Sequence, residues 1–197
     1  MAEAITAQTR AGVLSVRAAL PEELDEILGF YYQLIDDLEG KAESPRWEKD
    51  VWPSRDMLAK AIDAGTLFVG LLQGAVVGGM ILDHERPDGY DTAPWQVKAD
   101  ESEAMTAHLV AVSTTCQGSG IGSALMTAAA KLCREAGAKA LRLDVIEGNR
   151  PAARLYEKVG FVHIAAVRLF YEDTGWENFD LYELPLKAKD ATTDPAP

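Results

Sequence analysis

The sequence predicts a single α/β domain, and three observations lead to this prediction. From residue 104 onward, apolar runs typical of strands alternate with amphipathic stretches typical of helices, a pattern that indicates an α/β sheet. Upstream, two apolar runs separated by Gln73-Gly74 have the pattern of a β-hairpin. The length of 197 residues suits one domain whose core needs neither disulfides nor a structural metal.

The N-terminal half is expected to contain one short strand followed by two helices. The strand is expected at residues 14–17, and Pro21 with the acidic residues after it indicates a helix start. Proline is tolerated in a first helical turn, and acidic side chains interact favourably with the positive end of the helix dipole. A second helix is expected to follow Ser54 and to end at Gly65, whereas residues 41–53 have no periodicity.

The remaining elements follow from the hydrophobic pattern. The hairpin comprises residues 66–72 and 75–83. Further along the chain we expect strand 104–113, helix 120–136, strand 140–146, helix 150–159, strand 161–170 and strand 179–186. The long connection over residues 84–103 contains two prolines and many acids, and because long loops are often functional, we expect it to contribute to a substrate entrance.

The two ends of the chain are polar and lack periodicity. We therefore expect residues 1–12 and 187–197 to be flexible, which leaves residues 13–186 as the domain. The N-terminus has no basic start followed by an apolar stretch, and no run approaches the roughly 20 apolar residues that span a bilayer. A cytoplasmic protein without a membrane partner is expected.

The charge balance limits the classes of partner. Lysine and arginine number 19 against 31 aspartates and glutamates, for a net charge of −12. Such a chain repels phosphate backbones, so nucleic acid is not an expected partner. The acidity either attracts a cationic amine or simply keeps the protein dispersed. Cys116 and Cys133 have no second cysteine or histidine at metal-ligand spacing, so we expect free thiols and no metal.

A glycine-rich turn between a predicted strand and a predicted helix is the most informative feature. Gly118, Gly120 and Gly122 are closely spaced there, and glycine lets backbone N–H groups at a helix start approach phosphate oxygens. The alternative to phosphate binding is a structural turn that needs glycine only for tight packing. Ser123-Ala124 lacks the lysine of a Walker A loop, and Ser123 stands where a Rossmann fingerprint has glycine or alanine. An NTPase is therefore disfavoured, and dinucleotide binding is a remote alternative.

Two motifs resemble those of the GNAT superfamily of N-acetyltransferases. Gln117, Gly120 and Gly122 match its acetyl-CoA loop, in which Gln or Arg is followed after two residues by Gly and after one more by Gly or Ala. Residues 149–161 resemble its second signature, with an Asn, an alanine-containing turn, Leu-Tyr and a closing Gly-Phe. Since both occur in the family's order, the resemblance extends over about residues 104–164.

The resemblance implies a fold and a cosubstrate. The implied fold is a mixed, mostly antiparallel sheet flanked by helices and splayed between the strands at 104–113 and 140–146. The splay would admit the pantetheine arm of acetyl-CoA, the acetyl donor. The residues that the resemblance implies for acetyl-CoA binding are Val110, Ala111, Val112, Gln117, Gly118, Ser119, Gly120, Ile121, Gly122, Ser123, Asn149 and Tyr156. Asn149 is also expected to cap the helix at 150–159.

Acetyl transfer to an amine requires a neutral nucleophile, a stabilised oxyanion and help for the departing thiolate. From its helix position alone Tyr156 would be an ordinary core tyrosine, but the resemblance implies that it faces the CoA sulfur as general acid. The oxyanion donors are expected to be backbone N–H groups near Val110, where the strand interrupts its pairing.

His108 is the candidate general base. Regular strand alternation would place it on one face with Thr106, Val110 and Val112, and a packed, non-catalytic histidine is the alternative. Two carboxylates are weaker candidates, Glu101 and Glu103. Aromatic residues that could line an acceptor pocket or simply pack in the core are Tyr31, Tyr32, Trp47, Trp52, Trp95 and Trp176.

The resemblance thus implies direct acetyl transfer from acetyl-CoA to a primary amine of a small molecule or peptide, in a ternary complex. A non-catalytic acyl-CoA-binding sensor is the alternative, and an interaction protein that preserves only the scaffold is a second one. Because family members commonly dimerise, a homodimer is also expected.

Overall fold

The computed structural model describes residues 3–171 and 175–186. Its strands are β1 (Ile5–Thr9), β2 (Gly12–Ala18), β3 (Leu67–Leu72), β4 (Ala75–Asp83), β5 (Ala104–Val112), β6 (Ala140–Ile146), β7 (Val162–Tyr171) and β8 (Gly175–Pro185). Its α-helices are α1 (Leu24–Leu38), α2 (Arg55–Asp63), α3 (Ile121–Glu135) and α4 (Arg150–Val159). The strands form one sheet in the order β1-β2-β3-β4-β5-β6-β8-β7. Every neighbouring pair is antiparallel except β5 and β6, which confirms the predicted mixed, mostly antiparallel α/β fold.

The N-terminal segment contains a strand. The sequence predicts a flexible terminus at residues 1–12, but Ile5–Thr9 forms β1 and pairs with β2 around a tight turn that ends at Gly12. Gly12 has φ +124°, a conformation that glycine adopts without steric cost. Ile5 packs against the core cluster beneath α3. The strand has too few apolar residues to be recognised locally, and its pairing with β2 stabilises it. The expected flexible tail at 187–197 lies outside the described residues.

The predicted splay lies between β5 and β6. Their parallel pairing extends only from Ala104 opposite Ala140 to Thr106 opposite Arg142. Beyond that point β6 keeps its pairing with β8 as far as Ile146, while β5 continues beside β4. A cleft therefore opens between the C-terminal halves of β5 and β6.

The helices cover the two faces of the sheet. On α1 the buried residues recur at three- and four-residue spacing, Ile27, Tyr31, Leu34 and Leu38, and they pack in one core cluster with residues of α2. The other cluster contains α3 and its alanine-rich face. No helix in the described ranges is long and apolar enough to span a membrane. Both cysteines are free.

The long connection at 84–103 is attached to the sheet by a buried ion pair. The Glu183 carboxylate accepts hydrogen bonds from the backbone N–H groups of Gln96 and Val97, each at 2.9 Å. The Arg142 side chain donates to Glu183 at 3.0 Å and stacks on the Trp95 ring at 4.4 Å. Since a buried charge is costly without partners, this network holds the connection against the sheet at β6 and β8.

Candidate active site

A β-bulge lies in β5 at the mouth of the cleft. The register shifts so that Leu109 and Val110 together oppose the single residue Met80 of β4. Leu109 has φ +49°, a left-handed conformation that is strained for a branched side chain. The Tyr31 hydroxyl donates a hydrogen bond of 2.8 Å to the Leu109 carbonyl oxygen. The interruption expected near Val110 is therefore present.

The bulge changes which face each β5 residue occupies. Ala107 and Val110 pack in the same core cluster, whereas Leu109 packs in the cluster of the opposite face. Regular alternation would separate positions 107 and 110, so the alternation is broken between them. The prediction that His108 shares a face with Val110 is therefore wrong, because the extra residue shifts the pattern by one position.

A cleft of about 780 Å³ occupies the splay. Its lining includes every residue expected to contact acetyl-CoA: Val110, Ala111, Val112, Gln117, Gly118, Ser119, Gly120, Ile121, Gly122, Ser123, Asn149 and Tyr156. Gly118 and Gly120 have φ of +74° and +91°. The third glycine has a different role, since a Cβ on Gly122 would approach Leu155 Cδ2 to 2.9 Å. Two glycines thus shape the turn, and the third permits α3 and α4 to pack closely.

Three cations that sequence reasoning did not single out also line this cleft. They are Arg10, Arg154 and Lys158. The Arg10 backbone N–H donates to the Ser119 carbonyl at 2.9 Å, so the segment expected to be flexible supports the glycine turn. Arg154 and Lys158 are one helical turn apart on α4, a spacing that could have indicated a common face. In a chain of net charge −12, these cations offer local positive charge to an anionic ligand.

Helix α4 positions Tyr156. Asn149 caps the helix, because its side-chain oxygen accepts from the Ala152 N–H at 3.2 Å. The Tyr156 ring packs against Phe161 and Tyr182, with centroids 5.7 and 6.1 Å away, and the residue is only 5% exposed. Burial, with a smaller contribution from the Asp144 charge, raises the pKa of Tyr156, so its phenol is protonated at neutral pH.

A second, smaller cavity of about 120 Å³ adjoins the cleft. The two share the lining residues Pro45, Trp47, Val110, Asn149, Ala152 and Tyr156. Aromatic side chains form much of the remaining wall, namely Trp52, Tyr171 and Phe179. His108 and Asp144 contribute its ionisable groups. A molecule in this cavity would lie next to the tyrosine that also borders the cleft.

The hydrogen bonds of His108 determine its tautomer. Its Nε2 lies 3.1 Å from the Glu85 carbonyl oxygen and 3.2 Å from Asp83 Oδ1. Because both oxygens are acceptors, Nε2 carries the proton, and Nδ1 of the neutral ring is then an acceptor. Burial is the largest influence and lowers the pKa of His108, but the Asp83 hydrogen bond and the charges of Asp83 and Asp144 together raise it above its ordinary value.

Asp144 is the second ionisable group of the smaller cavity. The hydroxyls of Tyr90 and Tyr171 both donate to its Oδ1, the latter at 3.0 Å. Burial raises the pKa of Asp144, and the two phenols and His108 oppose that rise. Its one available signal in the sequence is a single carboxylate within the apolar strand ALRLDVI. Such a residue is a candidate for a functional role, because a carboxylate that is partly removed from water needs compensating interactions.

Several sequence candidates lie elsewhere. Glu103 forms an ion pair with Lys139 at 2.5 Å and Glu101 pairs with Arg86, and neither glutamate lines the two cavities. Trp95 stacks on Arg142. Trp176 is 60% exposed, and Tyr32 hydrogen-bonds Asp50 at the surface.

Comparisons with known proteins agree with this architecture. The family described as Acetyltransferase (GNAT) family matches residues 23–161. A mycothiol acetyltransferase from Thermomonospora curvata is 28% identical over 130 residues, which are 64% of this chain and 39% of that protein. The chain thus spans about two fifths of the length of that relative.

Solved structures share the fold. A GNAT-family acetyltransferase from Streptococcus agalactiae has a TM-score of 0.72 at 21% identity, covering 89% of this chain and 96% of that chain. The protein yncA from Salmonella typhimurium, solved with its cofactor acetyl-CoA, has a TM-score of 0.65 at 19% identity, covering 93% and 99%. At this level of identity the likeness concerns the fold.

Proposed function

Because the chain belongs to the GNAT family of acetyltransferases, we propose that it transfers acetyl from acetyl-CoA to a primary amine of a small molecule or peptide. The amine attacks directly in a ternary complex. The observation that carries this proposal is the junction of two cavities at Tyr156 and Val110. One cavity has the glycine turn and cations suited to a phosphorylated cosubstrate, and the other has the ionisable groups that an acceptor requires.

Acetyl-CoA would occupy the larger cavity. Its pyrophosphate binds the N–H groups of the turn around Gly118 and Gly120 and the N-terminus of α3, where the helix dipole is positive. Arg154 and Lys158 stabilise further phosphate charge. The pantetheine arm passes through the splay beside Val110–Val112, which brings the thioester towards Tyr156.

The acceptor would occupy the smaller cavity and lose a proton there. An alkylamine of pKa near 10.4 costs about 4.6 kcal/mol to deprotonate at pH 7. Nδ1 of His108 accepts this proton, since Nε2 is occupied by its bonds to Asp83 and Glu85. The amine nitrogen then forms a bond to the thioester carbon, and backbone N–H groups at the bulge near Val110 stabilise the oxyanion.

Collapse of the tetrahedral adduct breaks the carbon–sulfur bond. Tyr156 donates its hydroxyl hydrogen to the departing thiolate and is reprotonated as the adduct nitrogen loses its second proton. Overall, an ammonium ion and acetyl-CoA become an amide, CoA thiol and one released proton. An unperturbed phenol is a weaker acid than a thiol by about 2 kcal/mol, and burial raises the pKa of Tyr156 further. A strong hydrogen bond from Tyr156 therefore contributes alongside full proton transfer.

The test is acetyl-CoA-dependent thiol release with a panel of polyamines, arylalkylamines, aminoglycosides, amino acids and short peptides. Acetyl-CoA binding is measured in parallel by calorimetry. Selective release with an amine, accompanied by the N-acetyl product in mass spectrometry, is expected. Binding without turnover on any acceptor would favour the acyl-CoA sensor, and absence of binding would contradict the proposal.

A further inference from the structure

Asp144 lies where β6 leaves β5. The last residue of β6 that pairs with β5 is Arg142, and Asp144 follows two positions later. Its side chain lines the smaller cavity together with His108 and Tyr156. The carboxylate therefore shares the smaller cavity with both groups that the proposed reaction uses.

The carboxylate is held in a defined orientation. Tyr90, which is 1% exposed, and Tyr171 both donate to the same oxygen, Oδ1. The backbone N–H of Asp144 is a further donor to the carboxylate. A carboxylate has about four acceptor sites, so these three donors leave it the capacity to accept from a ligand.

The surrounding walls favour an apolar cation. The rings of Trp52 and Tyr171 lie 6.2 Å apart, and those of Tyr171 and Phe179 lie 5.1 Å apart. Aromatic faces attract cations and also bury apolar groups. The described lining residues include one carboxylate and no lysine or arginine. A carboxylate on the ligand would therefore meet like charge without a compensating cation.

We infer that Asp144 binds the acceptor's ammonium group and that the acceptor is a small primary amine on an aromatic or branched aliphatic body, without a carboxylate. This inference rests on the proposed function and specifies its substrate class. The ammonium docks on the Asp144 carboxylate beside His108, which takes its proton. The negative charge of Asp144 also raises the pKa of His108 and makes it a stronger base. Asp144 therefore assists removal of the proton as well as binding the protonated amine.

Two pairs of probes test this inference, and the members of each pair differ only in an α-carboxylate. The pairs are 2-phenylethylamine with phenylalanine and isopentylamine with leucine. In the wild-type enzyme, kcat/KM is expected to be at least about tenfold higher for each amine than for its amino acid, given the value of a charged hydrogen bond. Asp144→Asn should raise KM for both amines by about tenfold or more while acetyl-CoA affinity is retained. Equal use of amine and amino acid, or an unchanged KM in Asp144→Asn, would overturn the inference.

Glu147→Gln is the matched control, because it removes one negative charge from an exposed residue just after β6 that does not line the cavity. Thermal unfolding checks that each variant folds, and Asp144→Glu should recover part of the affinity. If no acceptor turns over, the proposed function fails, but calorimetry of 2-phenylethylamine with the CoA-bound protein still decides the inference. Binding that Asp144→Asn abolishes supports it, and absent or unchanged binding contradicts it.

Discussion

The hydroxyl of Tyr31 on α1 donates a 2.8 Å hydrogen bond to the carbonyl oxygen of Leu109 on β5. This contact joins a fully buried side chain to the residue whose positive φ creates the bulge. Gly79 makes room for it, because a Cβ there would lie 2.6 Å from the Tyr31 hydroxyl. The geometry of the proposed oxyanion site therefore depends on a helix that lies outside both recognised motifs.

Tyr31→Phe removes that hydrogen bond and leaves a buried carbonyl without its partner. We expect the free energy of unfolding to fall by about 1–3 kcal/mol and kcat to fall with it, because the bulge is less well ordered. Urea unfolding and steady-state kinetics measure the two effects. Tyr32→Phe is the control, since Tyr32 is the neighbouring tyrosine and bonds Asp50 at the surface. Unchanged kcat in Tyr31→Phe would separate the bulge from catalysis.

Tyr156→Phe removes the proposed acid while keeping its ring contacts. We expect kcat to fall by about 10²- to 10⁴-fold, the usual contribution of general acid–base catalysis, with little change in the Kd for acetyl-CoA. Tyr182→Phe is the matched control, because Tyr182 packs on Tyr156 but does not line either cavity. Wild-type turnover in Tyr156→Phe would remove Tyr156 as an essential acid.

The pH dependence of kcat/KM tests His108 as the proposed base, because the imidazole can accept a proton only when neutral. Activity should therefore fall as pH drops through the raised pKa of His108. Asp83→Asn removes a hydrogen bond and a charge that raise this pKa, so the acidic limb should shift to lower pH. The measurement is a pH profile for one amine in both proteins. An acidic limb at the same pH in both proteins would assign that limb to a group other than His108.

His108→Gln tests whether His108 is the general base, by comparing two acceptors whose amino groups differ in pKa. An alkylamine costs about 4.6 kcal/mol to deprotonate at pH 7, whereas an α-amine costs about 1 kcal/mol. The loss in kcat/KM should therefore be larger for 2-phenylethylamine than for phenylalaninamide, which has an α-amine and no carboxylate. Equal losses for the two acceptors would indicate that His108 positions the substrate without taking its proton.

Arg154→Gln should weaken acetyl-CoA binding through lost charge. We expect the Kd to rise by about three- to tenfold at low salt, and the difference from wild type to shrink as ionic strength screens the interaction. Calorimetric titration at two salt concentrations measures both effects. Arg150→Gln controls for net charge, since Arg150 is exposed on the same helix and does not line the cleft. Identical affinities in the two variants would contradict this assignment.

Elements whose boundaries depend on neighbouring residues could be predicted from the sequence. Helix α4 runs over Arg150–Val159, as expected, because Asn149 caps its start and Gly160 adopts the left-handed conformation at its end. The glycine turn before α3 was recognisable for the same reason, since helix caps and positive φ angles are local properties. These local signals were sufficient to identify the family and the cleft.

The composition of the smaller cavity, in contrast, could not be predicted from the sequence, because it depends on how distant segments meet in the folded protein. Tyr90 orients Asp144 there, and Asp83 orients His108, and each of these partners is distant in the chain. The bulge at Leu109 broke the expected alternation because its φ is supported by a contact from α1. Such features depend on which strands and helices meet in space, and long-range contacts leave no regular period in the sequence.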